Sequence, residues 1–218
     1  MTALVRPAFI RHAAAAAAVA AGCALGACAS APARFYTLES TAQPAAATAA
    51  AHDLAVIVGP VTVPAGVDRP EMVVQVAPNR VDVDEFNRWA TPLGDAIARA
   101  VAVDLSVLLA TPNVAAAPLA NFAADDRVTI DVQRFESIPG DAALLDALWV
   151  VRRLEGGATR TGRTVAREPV QGTGYEALAA AHSRAIGRLA DDIATAIVAL
   201  SQAPTSTGVP RGGRHARP

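Results

Sequence analysis

Two stretches of the chain repeat their apolar positions every three or four residues. Leu93, Ile97, Val101, Leu105 and Leu108 do so behind Thr91-Pro92. Thr91 can cap there and Pro92 suits a first helical position, so the spacing predicts a helix that ends before Thr111-Pro112. Tyr175, Leu178, His182, Ile186, Leu189, Ile193, Ile197 and Leu200 form a longer stripe, opened by Thr173 and Glu176 at the spacing of a capping box. The remaining patterned segments have period two or are rich in β-branched residues, and predict strands. They are 35–38, 54–64 with a bend at Gly59-Pro60, 72–77, 81–84, 126–135, 142–154 and 164–170. Pro78-Asn79 predicts a turn before 81–84, a half-exposed hairpin arm with valines on one face and carboxylates on the other. Strands, helix, strands, helix, each helix with one apolar stripe, predict an α/β fold: a layered sandwich of a mixed sheet covered by two main helices, in a single domain over 34–201.

Composition narrows the chemistry. Of 218 residues, 52% are hydrophobic, enough to exclude a wholly disordered chain, and 19 basic against 20 acidic side chains give no electrostatic reason to expect nucleic acid. Every basic side chain is arginine, which excludes a Walker A lysine or a Schiff base. Both cysteines, Cys23 and Cys28, precede the patterned region, as does His12. His52 lies in an alanine-rich stretch and His215 in a Pro/Gly/Arg tail, leaving His182 alone inside a predicted element. The domain thus has neither a thiol pair for a disulfide nor a Cys/His set for zinc, and no cofactor is expected beyond covalent lipid.

That lipid is expected on Cys28. Arg6 and Arg11 form a positive n-region, and the apolar run 13–25 has the length of a signal-peptide core, short for a transmembrane helix. Leu25-Gly26-Ala27-Cys28 then resembles the lipobox of bacterial lipoproteins, which implies a signal peptide over 1–27 and acylation of Cys28. An ordinary secretory cleavage near 27–31 is the alternative, and Cys23 lacks the preceding leucine. Ala29 follows the cysteine rather than aspartate, so the resemblance implies the periplasmic face of the outer membrane. Residues 28–53 read as the lipidated N-terminus, the first short strand and a flexible Ala/Pro/Thr/Ser linker, and 202–218, with Arg211, Arg214 and Arg217 among Gly and Pro, as a disordered basic tail.

With these elements placed, the chain resembles the PqiC-type family of ABC-type transport auxiliary lipoproteins. The matching pieces are Phe35-Tyr36-Thr37-Leu38 behind the lipobox, Val58-Gly59-Pro60-Val61 with Pro64, Asp68-Arg69-Pro70, Asn79-Arg80, and Arg88-Trp89-Ala90-Thr91-Pro92-Leu93. Phe35, where tyrosine is frequent, and the basic tail depart from the pattern. The resemblance implies a non-catalytic, outer-membrane-anchored periplasmic subunit of a lipid-transport system. Its partners would be an MCE-domain periplasmic protein and an inner-membrane component, with self-association into a ring implied by that role. A free-standing envelope-integrity lipoprotein without transport is the alternative.

Six residues are candidates for partner contact: Asp68, Arg69, Pro70, Arg80, Arg88 and Trp89. Turn chemistry also accounts for Asp68-Arg69-Pro70, with Arg69 otherwise touching a partner or a lipid phosphate. Trp89 suits a core position, although Trp and Arg are also enriched at binding hot spots. Gly172-Thr173-Gly174-Tyr175-Glu176-Ala177 matches a dinucleotide fingerprint but lacks its βαβ context, so a helix start explains it. Asp82/Asp84 and Asp191/Asp192 read as solvated faces, and His182 as a partly buried, hydrogen-bonded side chain. A hydrolase would have only His182 as base, and Ser106, Ser137 and Ser183 lack a nucleophile elbow.

Overall fold

The computed structural model describes residues 32–44 and 54–202. Cys28, the 1–27 segment, most of the linker and the tail from 203 onward lie outside the described residues. Eight strands form one mixed sheet: β1 (Arg34–Tyr36), β2 (Val56–Thr62), β3 (Glu71–Ala77), β4 (Arg80–Trp89), β5 (Val114–Ala116), β6 (Asp126–Ile138), β7 (Ala142–Arg153) and β8 (Thr159–Pro169). Two helices, α1 (Leu93–Leu108) and α2 (Gly174–Ser201), pack against it and against each other. This is the α/β architecture that the periodicities predict.

The spine is β6. One edge pairs antiparallel with β7, from Asp126↔Arg153 to Ile138↔Ala142, and β7 continues to β8. The other edge forks, running parallel to β2 from Val56↔Asp126 to Thr62↔Asp131 and then meeting β3 at Val74↔Ser137. β5 extends the first branch, and β4 followed by parallel β1 extends the second. A register shift at Val132/Arg134 carries β6 past the fork. Val128, Ile130 and Val132 face the core before it and Phe135 and Ser137 after it, because an extra residue in a strand reverses which parity points inward. This turns Ser137 toward α2.

Leu93, Ile97, Val101 and Leu105 of α1 are buried, with Leu108 partly so. The α2 stripe is buried from Leu178 to Leu200, with Tyr175 at its margin. Thr91 does not cap α1: Pro92 is its N-cap, and the Thr91 hydroxyl instead accepts from Arg99 at 2.7 Å. Thr173 is the N-cap of α2 but makes no side-chain capping bond, and positive φ at Gly172 and Gly174 accounts for the glycines of the fingerprint-like run. At the other end, buried Asp126 holds Arg153 through two 3.0 Å bonds, and Arg153 donates to the Leu200 carbonyl at 3.2 Å, tying the last turn of α2 to the sheet.

Three expectations need correcting. β8 begins at Thr159 rather than 164, since a glycine inside it, Gly162, leaves the space that the Trp149 ring fills across the strand pair. Val81 and Val83 are 56% and 40% exposed, because Met72 and Val74, not the β4 valines, supply the buried face of this hairpin. Asp84 is not simply solvated: it accepts from the Phe86 and Asn87 amides and the Asn87 side chain, each at 2.9 Å. Burial pushes its carboxyl up, but hydrogen bonds from Tyr175, Asn87 and these amides outweigh it and leave the carboxyl below its usual value.

Beyond β1, the chain crosses both helices as a strap. Asp104 of α1, wholly buried, accepts from the Ser40 hydroxyl at 2.6 Å and from the Thr41 and Ala42 amides at 2.9 Å, all on Oδ1. The Glu39 amide donates to Ser183 of α2 at 3.0 Å, and Gly187, lacking a side chain, lets Thr41 come against α2.

Candidate functional site

Five of the six candidate residues meet in one place. Parallel pairing sets Phe35 of β1 beside Arg88 of β4, and antiparallel pairing sets Glu71 of β3 on the other side of Arg88. Residues directly opposite in a sheet share a face, so Phe35, Arg88 and Glu71 form a row across three strands. The Asp68-Arg69-Pro70 turn comes against this row because the Trp89 amide donates to the Pro70 carbonyl at 2.7 Å. The result is a groove of about 450 Å³, mostly apolar in its walls, lined by Phe35, Asp68, Arg69, Pro70, Arg88 and Trp89 and closed by Ala90, Thr91 and Pro92 ahead of α1. The sequence places Phe35 in a strand, as a departure from the family pattern and not as a contact candidate, and does not single out Glu71. Arg80 is not part of the groove: it starts β4 at the opposite end of the hairpin, beside Ala77, roughly 20 Å along β3 from Glu71 and Arg88 at the rise of an extended strand.

Glu71 organises the cations. Its carboxylate pairs with Arg88 and lies 3.5 Å from Arg69 Nε. The Glu71 carboxyl is held below its usual value first by its own backbone amide, then by Arg88 and Arg69, with burial acting the other way. Arg88 Nε is buried and has no hydrogen-bond partner. A guanidinium presents five N–H donors in a planar fork, so Glu71 leaves part of the Arg88 fork unused.

Trp89 takes the opposite face and is buried, as its core reading required. Its ring meets Phe135 and His182 edge-on, with centroids at 6.0 and 6.1 Å, while Phe135 and His182 stack at 3.9 Å. His182 is wholly rather than partly buried. Its Nε2 is 2.8 Å from the Ser137 hydroxyl, while Nδ1 has no partner, and burial pushes its pKa down to about 3. A serine and a histidine at this distance resemble half of a nucleophilic triad. Here no acid orients Nδ1, Ser137 is itself buried, and two aromatic rings cover the pair, so the geometry is that of a core hydrogen bond.

Elsewhere, a cleft of about 430 Å³ lies between the strap, Leu108 and α2, and one of about 540 Å³ follows the seam between β8 and α2; Glu168, which lines both, already pairs with Arg184 and Arg188. Asp192 accepts from Thr164 at 2.6 Å, and Asp191 is pushed above its usual value by burial and by nearby Asp104 and Asp192 despite Arg188. Among the described residues, no His/Cys/Asp/Glu cluster has the geometry to hold a metal, and no helix is long and apolar enough to cross a membrane.

Solved structures share this architecture. The crystal structure of a Xanthomonas campestris protein is 20% identical with a TM-score of 0.63, covering 78% of this chain and 100% of that one. The crystal structure of an uncharacterized protein is likewise 20% identical, with a TM-score of 0.60 and coverage of 77% and 99%. At that identity the likeness is one of fold. No curated protein matches the chain. The family model for the ABC-type transport auxiliary lipoprotein component matches residues 36–194, from β1 through most of α2.

Proposed function

Because the chain belongs to the family of ABC-type transport auxiliary lipoprotein components, we propose that it is an outer-membrane-anchored, non-catalytic subunit that docks an MCE-type, periplasm-spanning lipid tunnel at that membrane. The observation carrying this reading is the span of the family match, which runs from Tyr36, the last residue of β1, and takes in the rest of the sheet, α1, most of α2 and the groove apart from Phe35. Acylation of Cys28, export past the inner membrane with Ala29 at the following position, and self-association complete the proposal. Several acyl chains on one cysteine, at ~0.8 kcal/mol per buried methylene, hold a domain on a bilayer without a spanning helix.

The groove serves this role through contact rather than chemistry: its charged lining is Arg69, Arg88 and Asp68, with Glu71 paired to both arginines, and the rest of its wall is mostly apolar. Deleting the gene is expected to raise envelope permeability to a bulky apolar dye, with the wild-type chain restoring the barrier. Cys28→Ala is expected to leave the membrane fraction and fail to restore it. Unchanged permeability after deletion, or full rescue by unacylated protein, would overturn the proposal.

A further inference from the structure

The point where the chain enters the fold limits which face can meet the membrane. On the reading above, acyl chains sit at Cys28, and the first strand begins at Arg34. Six residues separate Cys28 from Phe35, and the seven Cα-to-Cα steps between them reach at most roughly 25 Å at full extension. A domain of this length has a radius of gyration of roughly 15 Å, so such a tether is too short to let every face reach the bilayer. The face opposite β1 is thereby out of reach, whereas the face that carries β1, with the groove on it, stays within reach.

What lies there suits a lipid interface. Phe35 is 64% exposed and lines the groove with Pro70 and Pro92, so an apolar wall stands directly beside the arginines. Arg88 keeps a buried, unpartnered Nε beneath it, and Arg69 stands beside the same carboxylate. Asp68 is exposed at the rim. Two arginines against Asp68 and Glu71 leave the groove electrically balanced, which matches a headgroup bearing both charges better than a purely anionic one. We propose that this groove seats the headgroup of a zwitterionic phospholipid from the anchoring bilayer, its phosphate on Arg88 and Arg69 and its amine toward Asp68, with Phe35 set among the first acyl carbons. The domain would thus rest on the membrane by two contacts, the acylated cysteine and the groove, in one fixed orientation.

The test uses the lipidated mature chain in vesicles of phosphatidylethanolamine and phosphatidylcholine. A fluorophore is placed at Phe35→Cys or, as a control, at Val165→Cys, an equally exposed site on the edge strand β8. Spin-labelled headgroups are expected to quench position 35 severalfold more than position 165. Arg88→Gln, its fold checked by circular dichroism, is expected to remove most of that difference. Equal quenching at the two positions overturns the proposal, as does an Arg88→Gln variant that leaves the difference intact. So does a response at position 35 to inorganic phosphate alone, in vesicle-free detergent solution, that equals the response to lipid. Intact mass separates the premise from the inference. An unacylated Cys28 removes the tether and overturns both, whereas acylated Cys28 with position 35 unquenched overturns the groove assignment alone.

Discussion

Asp104→Ala is expected to destabilise the domain by about 3 kcal/mol, because it removes the single acceptor of three hydrogen bonds, and bonds to an ionised group are worth ~1.5–3 kcal/mol each before the cost of burying the carboxylate is deducted. The strap has no other attachment of this kind to α1 among the described residues: Ser40, Thr41 and Ala42 all converge on Oδ1. The variant should therefore show two linked effects in one protein. Its denaturation midpoint should fall, and protease should cut within 37–44 while the α2 core stays resistant. Ser40→Ala, which deletes one of the three bonds, is expected to cost only about 1 kcal/mol. If Asp104→Ala unfolds no more easily than Ser40→Ala, the strap is not held as described.

The second large effect is acid sensitivity from His182. The ring contacts Phe135, Trp89 and the Ser137 hydroxyl, all uncharged, so burial depresses its pKa to about 3 with nothing opposing it. An unfolded chain titrates this side chain near 6.5. Above that pH neither state holds the proton, and His182 adds no slope. Between 6.5 and about 3 the unfolded state binds a proton that the folded state does not, so stability falls with falling pH by ~1.4 kcal/mol per unit. From pH 6.5 to 4.5 this amounts to about 2 kcal/mol. Carboxylates held below their usual values, such as Asp84 and Asp146, add their own losses at the acid end, so the measurement is a difference. Denaturant titrations of the wild type and of the double variant His182→Phe/Ser137→Ala, which keeps an aromatic ring and removes the orphaned hydroxyl, should diverge over this window, with the variant the flatter. Parallel curves would mean that His182 can protonate in the folded state.

Much of the fold was legible because its two helices bury continuous stripes. Leu93, Ile97, Val101 and Leu105 in the middle of the chain, and Leu178 to Leu200 near its end, obey a period that few alternatives satisfy. The sheet was less readable for a physical reason: its order depends on pairing between distant segments. β5 is three residues long and exists because it lines up with Val56, Ile57 and Val58 of β2. The fork of β6 between β2 and β3 requires the shift at Val132/Arg134, which a change of parity from Val132 to Phe135 hints at but cannot place. Val81 and Val83 alternate as an inward face would, yet the sheet offers that face to solvent.

The candidate groove was partly legible. Asp68, Arg69, Pro70, Arg88 and Trp89 were separate local signatures, and only the β3–β4 register brings them together. Arg80 shares the hairpin but stands at its far end, which a one-dimensional reading could not discount. Two features had signals that were available and unused. Asp104 sits between Val101 and Leu105 on an otherwise apolar stripe, a place where a carboxylate persists only if something hydrogen-bonds to it. Gly187 interrupts the α2 stripe beside Ile186, a place where a side chain would obstruct the strap. Both point to the segment 37–44, whose composition alone reads as tether.

Crosslinking in intact cells decides whether this domain docks a tunnel at the membrane as proposed. The full-length chain is expressed with wild-type Cys28 or with Cys28→Ala, crosslinked, and purified with its partners. An MCE-domain protein is expected to be recovered with the acylated form and lost with Cys28→Ala. Recovery of the same partners by both forms, or of only the chain itself and the cell wall by each, would contradict that docking.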